Sequence, residues 1–354
     1  KSGFLTACQH KTSGYTLRIS ITNRRVEMKC FFAALVMLMA LGSLLMPVLG
    51  ISVNFVAEEN GKTAVSSSAY QLDRETSLQT ETNGWMTDTR INGAGIARHN
   101  GLIIATDHPQ MNTKITSAGQ DVSIIADGME VASRSDDLMM GTSMLMEGGS
   151  LLAGPDYTAE GGRANAYTLL GYRWNTRDPQ LKWVLKNDAI LAAEGLSSID
   201  VKNALEAAAN TWDEASNQNL FADSNMVTLN PTVEGDKFNK INTINWQSFQ
   251  KCTNAIAYAR TYYYAGRRVD GYGTAIESDL VFNSDKRWRV ESGNSKDIDV
   301  QSVALHEMGH TLGLGDIYGI AMYKYDTDQV MHYYSGEKRS LGNGDKTAIW
   351  KLYG

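Results

Sequence analysis

Residues 306–316 read HEMGHTLGLGD, and this stretch decides how the chain is interpreted. Two histidines four residues apart lie on one face of a helix, so the imidazoles of His306 and His310 can converge on one metal ion. Glu307 then lies beside the first ligand, where it reaches a water molecule on the metal without binding the metal itself. The spacing predicts a buried helix that carries a metal site and a general base.

The residues that follow the helix strengthen this prediction. Gly313 can adopt the left-handed conformation that ends a helix and turns the chain sharply. Such a turn brings Asp316 back to the metal as a third ligand; a loop cap or a calcium ligand is the alternative role for this carboxylate. Two nitrogens and one oxygen leave a fourth position for water, which is the arrangement of a catalytic zinc site.

The segment His306–Asp316 resembles the extended motif of the metzincin metalloproteases, and most closely that of the matrixin branch. Matrixins have histidine as the third ligand, and aspartate in that place is similar to the snapalysin-type variant of the clan. Val330–Tyr333 resembles the methionine turn of these enzymes. The resemblance implies that Met331 lies under the metal and that Tyr333 steadies the oxyanion, as in the astacin and serralysin turn; an ordinary core tyrosine is the alternative.

The likeness covers residues 166–354 and implies an α+β catalytic domain, with a twisted, mostly parallel sheet, an active-site helix and a C-terminal helix. The patterning of this part agrees with that fold class. A capping-box-like start at Ser197 and a candidate N-cap at Asp299 indicate where two of the helices begin. The pattern predicts strands at 167–174, 243–246, 255–262 and 279–282, and helices at 201–212, 300–312 and 346–353.

Residues 51–165 lie outside the likeness and are typical of a β-rich region, because turn signals such as Asn83-Gly84 and Asp127-Gly128 recur at short intervals. A glycine-rich stretch at 148–162 is predicted to be the linker to the catalytic domain. The region contains no cysteine, so it holds no cysteine-switch motif. A propeptide, an inhibitory cap and an attachment domain all fit its composition, and Asp107-His108 would occlude the metal site if it is a propeptide.

The amino-terminal part predicts export. From Met28 a lysine, an apolar run, Pro47 and Gly50 follow in the order of a secretory signal peptide, with cleavage after Gly50. A signal anchor is the alternative, because apolar residues continue beyond Gly50. Residues 1–27 would be a spurious upstream extension. In both cases the body of the protein is expected outside the cytoplasm, secreted or held at the cell surface.

Composition and charge exclude several classes of protein. With 43% hydrophobic residues, five prolines and three cysteines, the chain is neither collagen-like nor a disulfide-stapled scaffold. Residues 1–50 hold six basic residues and one acidic residue, so the net charge of −6 leaves −11 on the remainder. An acidic body without a basic cluster argues against nucleic acid or an anionic membrane as the main partner.

The resemblance therefore implies a secreted zinc endopeptidase for protein or peptide substrates, in which Glu307 is the general base toward a zinc-bound water. An extended substrate is expected to pair with an edge strand near Gly271–Glu277. Calcium is a further candidate ion, and acidic pairs such as Asp136-Asp137 are its candidate ligands, or else solvated turn residues. The alternative function is an exported cell-surface binding module with a non-catalytic zinc site.

Overall fold

A computed structural model describes residues 102–106, 111–118, 121–147, 149–155, 158–161, 164–186, 191, 195–250, 252–293, 295–317, 325–332 and 334–354, together with the strand backbone of seven earlier segments. The candidate signal segment 28–50, the Asp107-His108 pair and Tyr333 lie outside the described residues. Among the helices that are described, none is both long enough and apolar enough to cross a lipid bilayer.

Most of the described residues between 51 and 165 lie in strands, which confirms the β-rich prediction for this region. Strands β1 to β4 form one sheet in sequence order, and β5 to β13 belong to a larger sheet. The linker predicted at 148–162 is wrong, because much of it is strand: Leu151 and Leu152 are buried, and their strand pairs on both sides. The strands are β1 (Leu5–His10), β2 (Gly14–Ile19), β3 (Ser52–Glu59), β4 (Lys62–Ser68), β5 (Ser77–Asn83), β6 (Met86–Asn92), β7 (Gly95–His99), β8 (Leu102–Thr106), β9 (Asn112–Ala118), β10 (Asp121–Ala126), β11 (Met129–Ser135), β12 (Leu138–Met146), β13 (Gly149–Pro155) and β14 (Thr158–Glu160).

The second part mixes strands with helices close to the predicted positions. The strand predicted at 167–174 is two strands, because its halves pair with different partners on either side of Leu170-Gly171. The elements are β15 (Tyr167–Leu169), β16 (Tyr172–Trp174), β17 (Trp183–Leu185), α1 (Ser198–Asp213), β18 (Val227–Leu229), β19 (Thr243–Gln247), β20 (Ala255–Val269), β21 (Tyr272–Asn283), β22 (Trp288–Arg289), β23 (Ile298–Asp299), α2 (Val300–Thr311), β24 (Leu314–Gly315) and α3 (Asn343–Tyr353).

The sheet of this part runs in the order β18-β17-β19-β21-β20. Its pairs are parallel except for β20 with β21, and β16 also lies parallel to β21. The α+β class with a mostly parallel catalytic sheet is therefore confirmed. On its other side β20 pairs antiparallel with β12, so the two parts of the chain share one continuous sheet.

Helix α2 is buried along its length and is held by hydrogen bonds from aromatic side chains. The indole nitrogen of Trp212 in α1 donates to Leu305 O at 2.9 Å, and that of Trp174 donates to Thr311 O at 3.0 Å. Asp299 caps the helix as predicted, since its carboxylate accepts from the Ser302 amide at 2.9 Å. The predicted capping box at Ser197 is wrong in detail: Ser197 is the N-cap of α1, but its side chain makes no capping bond within the described structure.

A single glycine turns the chain after α2. Gly313 has a φ of +99°, which confirms the predicted left-handed conformation, and its amide donates to His310 O at 2.9 Å. A Cβ at this position would lie 2.5 Å from the carbonyl oxygen of Tyr172, so the backbone of β16 leaves room only for glycine. Glycine is therefore required for two reasons: its left-handed conformation and the close approach of the Tyr172 carbonyl oxygen.

We predict that Gly313→Ala destabilises the fold far more than Gly271→Ala. Gly271 has a similar φ of +91°, but a Cβ added there would meet no atom within 4 Å, so alanine costs only the left-handed strain of about 1 kcal/mol. Alanine at position 313 adds a clash with the backbone of Tyr172, so the free energy of unfolding should fall by about 3 kcal/mol or more in total. Urea unfolding of both variants measures the difference, and equal losses would show that the approach to Tyr172 is unimportant.

Candidate metal centre

The two helix histidines face each other as their spacing predicts. The Nε2 atoms of His306 and His310 lie 3.1 Å apart, and the ring planes are nearly perpendicular. Both side chains are buried. The four-residue spacing on α2 thus places two imidazole nitrogens at one point.

Main-chain carbonyls determine which nitrogen of each ring carries the proton. His306 Nδ1 lies 2.8 Å from Val330 O, and His310 Nδ1 lies 2.8 Å from Leu314 O. Because a carbonyl oxygen only accepts, each Nδ1 must donate, and each neutral ring turns the lone pair of Nε2 toward the other. The carbonyls therefore direct both Nε2 atoms to one point, where they could bind a metal ion.

Asp316 meets the same point from the loop after the Gly313 turn. Its Oδ1 lies 3.2 Å from His306 Nε2 and 3.5 Å from His310 Nε2, and the three ligand atoms lie within 4.8 Å of one another. Burial opposes ionisation of Asp316, whereas protonated imidazoles beside it, in the absence of a metal ion, would hold its pKa below the usual range. Thr168 keeps the loop in place by donating to Asp316 O at 3.1 Å.

Glu307 lies next to this group without joining it. Its side chain is fully buried, and neither carboxylate oxygen has a hydrogen-bond partner among the described residues. Burial raises the pKa of Glu307 to about 8, and the nearby Asp316 carboxylate also raises it, while a protonated His306 and the Ala259 amide of β20 act in the opposite direction. A buried carboxylate with a raised pKa beside a metal site is suited to exchange protons near neutral pH.

The candidate methionine turn packs against α2, and the position of Met331 under a metal ion stays a prediction. Met331 is buried, and a Cβ at Gly309 would lie 2.3 Å from its sulfur atom, so helix and turn are in direct contact. The Asp345 carboxylate accepts from the amides of Val330 at 2.6 Å and Met331 at 3.3 Å. Asp345 therefore holds the turn that also orients His306; in the sequence it appears only as an acidic residue in the first turn of α3.

The predicted substrate edge near Gly271–Glu277 is wrong. This segment leads into β21, which has β20 on one side and β16 and β19 on the other, so it has no free edge. The strand at the margin of the parallel sheet is β20, whose outer edge pairs with β12. Sequence alone misplaces the edge because strand order in a sheet is set by long-range pairing.

The three converging side chains form a candidate metal site, and comparison with known proteins identifies the family. The model of the Matrixin family matches residues 173–354, which include the three candidate ligands, Glu307 and Met331. The chain belongs to the matrixin family.

Two curated relatives are similar to parts of the chain. Karilysin from Tannerella forsythia is 29% identical over 192 residues, which are 54% of this chain and 35% of karilysin. Matrilysin from Homo sapiens is 35% identical over 86 residues, 23% of this chain and 29% of matrilysin. The chain thus matches about a third of the length of each relative.

We predict that Gly309→Ala weakens zinc binding by about tenfold or more, because the added methyl group pushes Met331 and its turn away from the helix. Chelator competition measures the affinity. Met331→Ala leaves a cavity of its own, so the double variant should lose less stability than the sum of the single variants. Additive losses would mean that Gly309 and Met331 do not contact each other.

Proposed function

We propose that this protein is a zinc-dependent endopeptidase. The observation that carries the proposal is the convergence of His306, His310 and Asp316 beside the buried carboxylate of Glu307. Family membership supports the reaction class, and the donor set supports the metal. Protein or peptide chains are the proposed substrates.

Zinc fits the residues that are present. Two imidazole lone pairs and a carboxylate oxygen would repel one another in a buried site, and a divalent cation among them removes that repulsion. The Asp316 oxygens are buried without a hydrogen-bond donor among the described residues, as expected for a metal ligand. Nitrogen and oxygen donors in this number suit a catalytic zinc ion, which keeps one position open.

Each side chain then has a defined task. When bound, zinc supplies Lewis-acid polarisation of a water molecule and of the substrate carbonyl. Glu307 accepts the proton of the attacking water on a carboxylate oxygen and passes it to the leaving nitrogen of the cleaved bond. Its burial favours this role, because the carboxylate and carboxyl forms are closer in free energy than in water. Tyr333 is the proposed hydrogen-bond donor to the oxyanion.

A non-catalytic site in a surface binding module is the second candidate function. Such a site needs the three ligands but gains nothing from Glu307. A buried carboxylate without a partner costs about 1–3 kcal/mol or more of stability, so its presence favours catalysis. The observation supports the endopeptidase over the binding module.

We propose calcium only as an additional, structural ion. Among the described residues, the group of three or more metal-capable side chains is His306, His310 and Asp316. Asp136 and Asp137 occupy the turn between β11 and β12. Their role as calcium ligands stays a prediction from sequence.

We predict that Glu307→Gln retains one zinc ion per chain and lowers kcat by about 10²–10⁴-fold, because glutamine cannot accept the proton. Glu277→Gln is the matched control: Glu277 is equally buried, but it accepts from the amides of Asn239 and Lys240, away from the metal ligands. Cleavage of casein or gelatin and zinc analysis measure both effects. A Glu307→Gln protein with wild-type turnover would disprove the assignment of the base.

Removal of the metal gives a second test. EDTA should abolish cleavage, and added zinc should restore it. Asp316→Ala should weaken zinc binding by more than about 100-fold, since it removes one of three ligands. Unchanged zinc affinity in that variant would show that Asp316 is not a ligand and that another group completes the site.

We also propose that the protein is exported and cleaved after Gly50, which rests on the sequence of 28–50. N-terminal sequencing of protein recovered from the culture medium should then begin at Ile51. Leu38→Arg places a charge in the apolar run and should retain the chain in the cell. An uncleaved chain in the membrane fraction would support the signal anchor instead.

A further inference from the structure

Three charged residues in succession, Glu337, Lys338 and Arg339, follow the candidate methionine turn. Charged side chains are mostly solvated, but each member of this charged run is bound to another segment of the catalytic part. The run lies directly after Tyr334–Gly336 in the chain. Its contacts therefore determine where those three residues can lie.

Arg339 forms a two-pronged pair with Asp299, the residue that caps α2. Its Nε lies 3.1 Å from one carboxylate oxygen, and its Nη2 lies 2.6 Å from the other. Nη2 also donates to Val290 O at 2.9 Å. Because the guanidinium group is planar, two parallel hydrogen bonds fix its direction as well as its distance. The pair thus holds the charged run at one position against the start of the metal-binding helix.

Glu337 extends this pair into a network. Its carboxylate accepts from the Ser292 hydroxyl at 2.6 Å and from the Gly293 amide at 3.0 Å. Arg289 Nη2 lies 3.0 Å from the same carboxylate, and Arg289 Nη1 lies 3.4 Å from the carboxylate of Asp299. Two arginines and two carboxylates therefore join the charged run to the loop before α2 and to the helix cap.

Lys338 connects the run to both sides of the metal centre. Its ammonium group donates to Thr327 O at 2.6 Å and to Gln329 O at 2.8 Å, in the segment that leads into the candidate methionine turn. Its main-chain amide donates to Ser302 Oγ at 2.7 Å. Ser302 lies one helical turn before His306, on the same face of α2. The helix and the turn are thus tied together at this residue.

The residues that the run positions form one side of a small pocket beside the metal centre. Tyr334–Gly336, here called the pocket wall, line this pocket together with His306 and Val330 among others. The main-chain amide of Asp299 donates to the hydroxyl oxygen of Tyr334 at 3.0 Å, so the helix cap also holds the wall directly. A peptide with its cleaved carbonyl group at the metal would place a neighbouring side chain in this pocket.

The buried charges of this network contribute geometry more than stability. Asp299 is 0% exposed, and the Arg339 side chain is 24% exposed. The attraction within such a pair roughly offsets the loss of hydration, so apolar residues of similar volume often stabilise a fold equally well. The ion pair differs from apolar packing in that it allows only one arrangement. Side chains that allow one arrangement suit a wall whose position matters for binding.

We propose that Arg339 is a positioning residue for peptide cleavage, which sets the pocket wall Tyr334–Gly336 beside His306 through its paired hydrogen bonds to Asp299. The inference rests on the proposed endopeptidase function and adds a determinant of its substrate selectivity. A fixed wall makes full contact with a side chain of one size, whereas a displaced wall discriminates less between side chains. Loss of Arg339 should therefore change selectivity while the metal stays bound.

The test is Arg339→Ala in the full-length, zinc-loaded chain, with quenched fluorescent peptides that carry either leucine or alanine beside the cleaved bond. The ratio of kcat/KM for leucine over alanine should fall at least fivefold, mainly through KM, with one zinc ion per chain retained. Arg287→Ala is the matched control: Arg287 pairs with Asp297 at 3.2 Å, but its side chain is 84% exposed, and its ratio should stay within twofold of the wild type. An unchanged ratio in Arg339→Ala, or a wild type without preference, would overturn the proposal.

A conservative variant separates geometry from charge and covers a failure of the alanine variant to fold. Arg339→Lys keeps the positive charge but cannot make two parallel hydrogen bonds, so its leucine-to-alanine ratio should fall at least twofold. Hydrogen exchange of residues 334–339, followed by mass spectrometry, should be at least fivefold faster in Arg339→Ala than in the wild type. Full wild-type selectivity and exchange in Arg339→Lys would overturn the role of the paired hydrogen bonds.

A binding assay separates this proposal from the endopeptidase function. Two peptide hydroxamates, one with a leucine and one with an alanine side chain, report selectivity without cleavage. A reduced ratio of their affinities in Arg339→Ala, with no cleavage by any of the proteins, would support the positioning role and overturn the endopeptidase. Cleavage by wild type and variant with equal ratios in both assays would support the endopeptidase and overturn the positioning role.

Discussion

Two imidazole lone pairs that face each other at 3.1 Å are the constraint on which the rest of this structure depends. They can be held there only if both Nδ1 atoms are engaged elsewhere, and the carbonyls of Val330 and Leu314 provide those acceptors. Each carbonyl belongs to a segment that must be fixed in turn. The turn at Gly313 positions the carbonyl of Leu314, and the Asp345 carboxylate holds the main chain at Val330. Two segments far from each other in the chain therefore support the two hydrogen bonds to the histidine Nδ1 atoms.

The buried polar groups of the site are unfavourable individually, and the packing around them stabilises the site. Burial raises the pKa of Glu307 and leaves its oxygens without partners in the described structure, a costly arrangement that is typical of functional sites. The surroundings compensate by rigid packing: indoles from Trp174 and Trp212 hold the main chain of α2, and Met331 fills the space under Gly309. This packing preorganises the helix and the turn that carry or orient the candidate ligands His306 and His310.

Strand β20 connects the catalytic part with the region before it. One of its edges completes the catalytic sheet through β21, and the other carries β12. A margin strand of this kind is open to strand addition by any extended peptide. In this chain the partner is β12, so the sheet continues from the catalytic part into the region before it.

The sequence by itself determined the features that depend on residues close together in the chain. The spacing of His306, His310 and Asp316 with Gly313 between them predicts the ligand geometry, because helix periodicity and one left-handed turn are local properties. Matrixin-like motifs also predicted the fold class of 166–354. Tertiary structure alone decided that Asp345 holds the methionine turn and that β12, not a free edge, lies beside β20. These contacts join residues far apart in the chain, and no local pattern records which distant segment a strand will pair with.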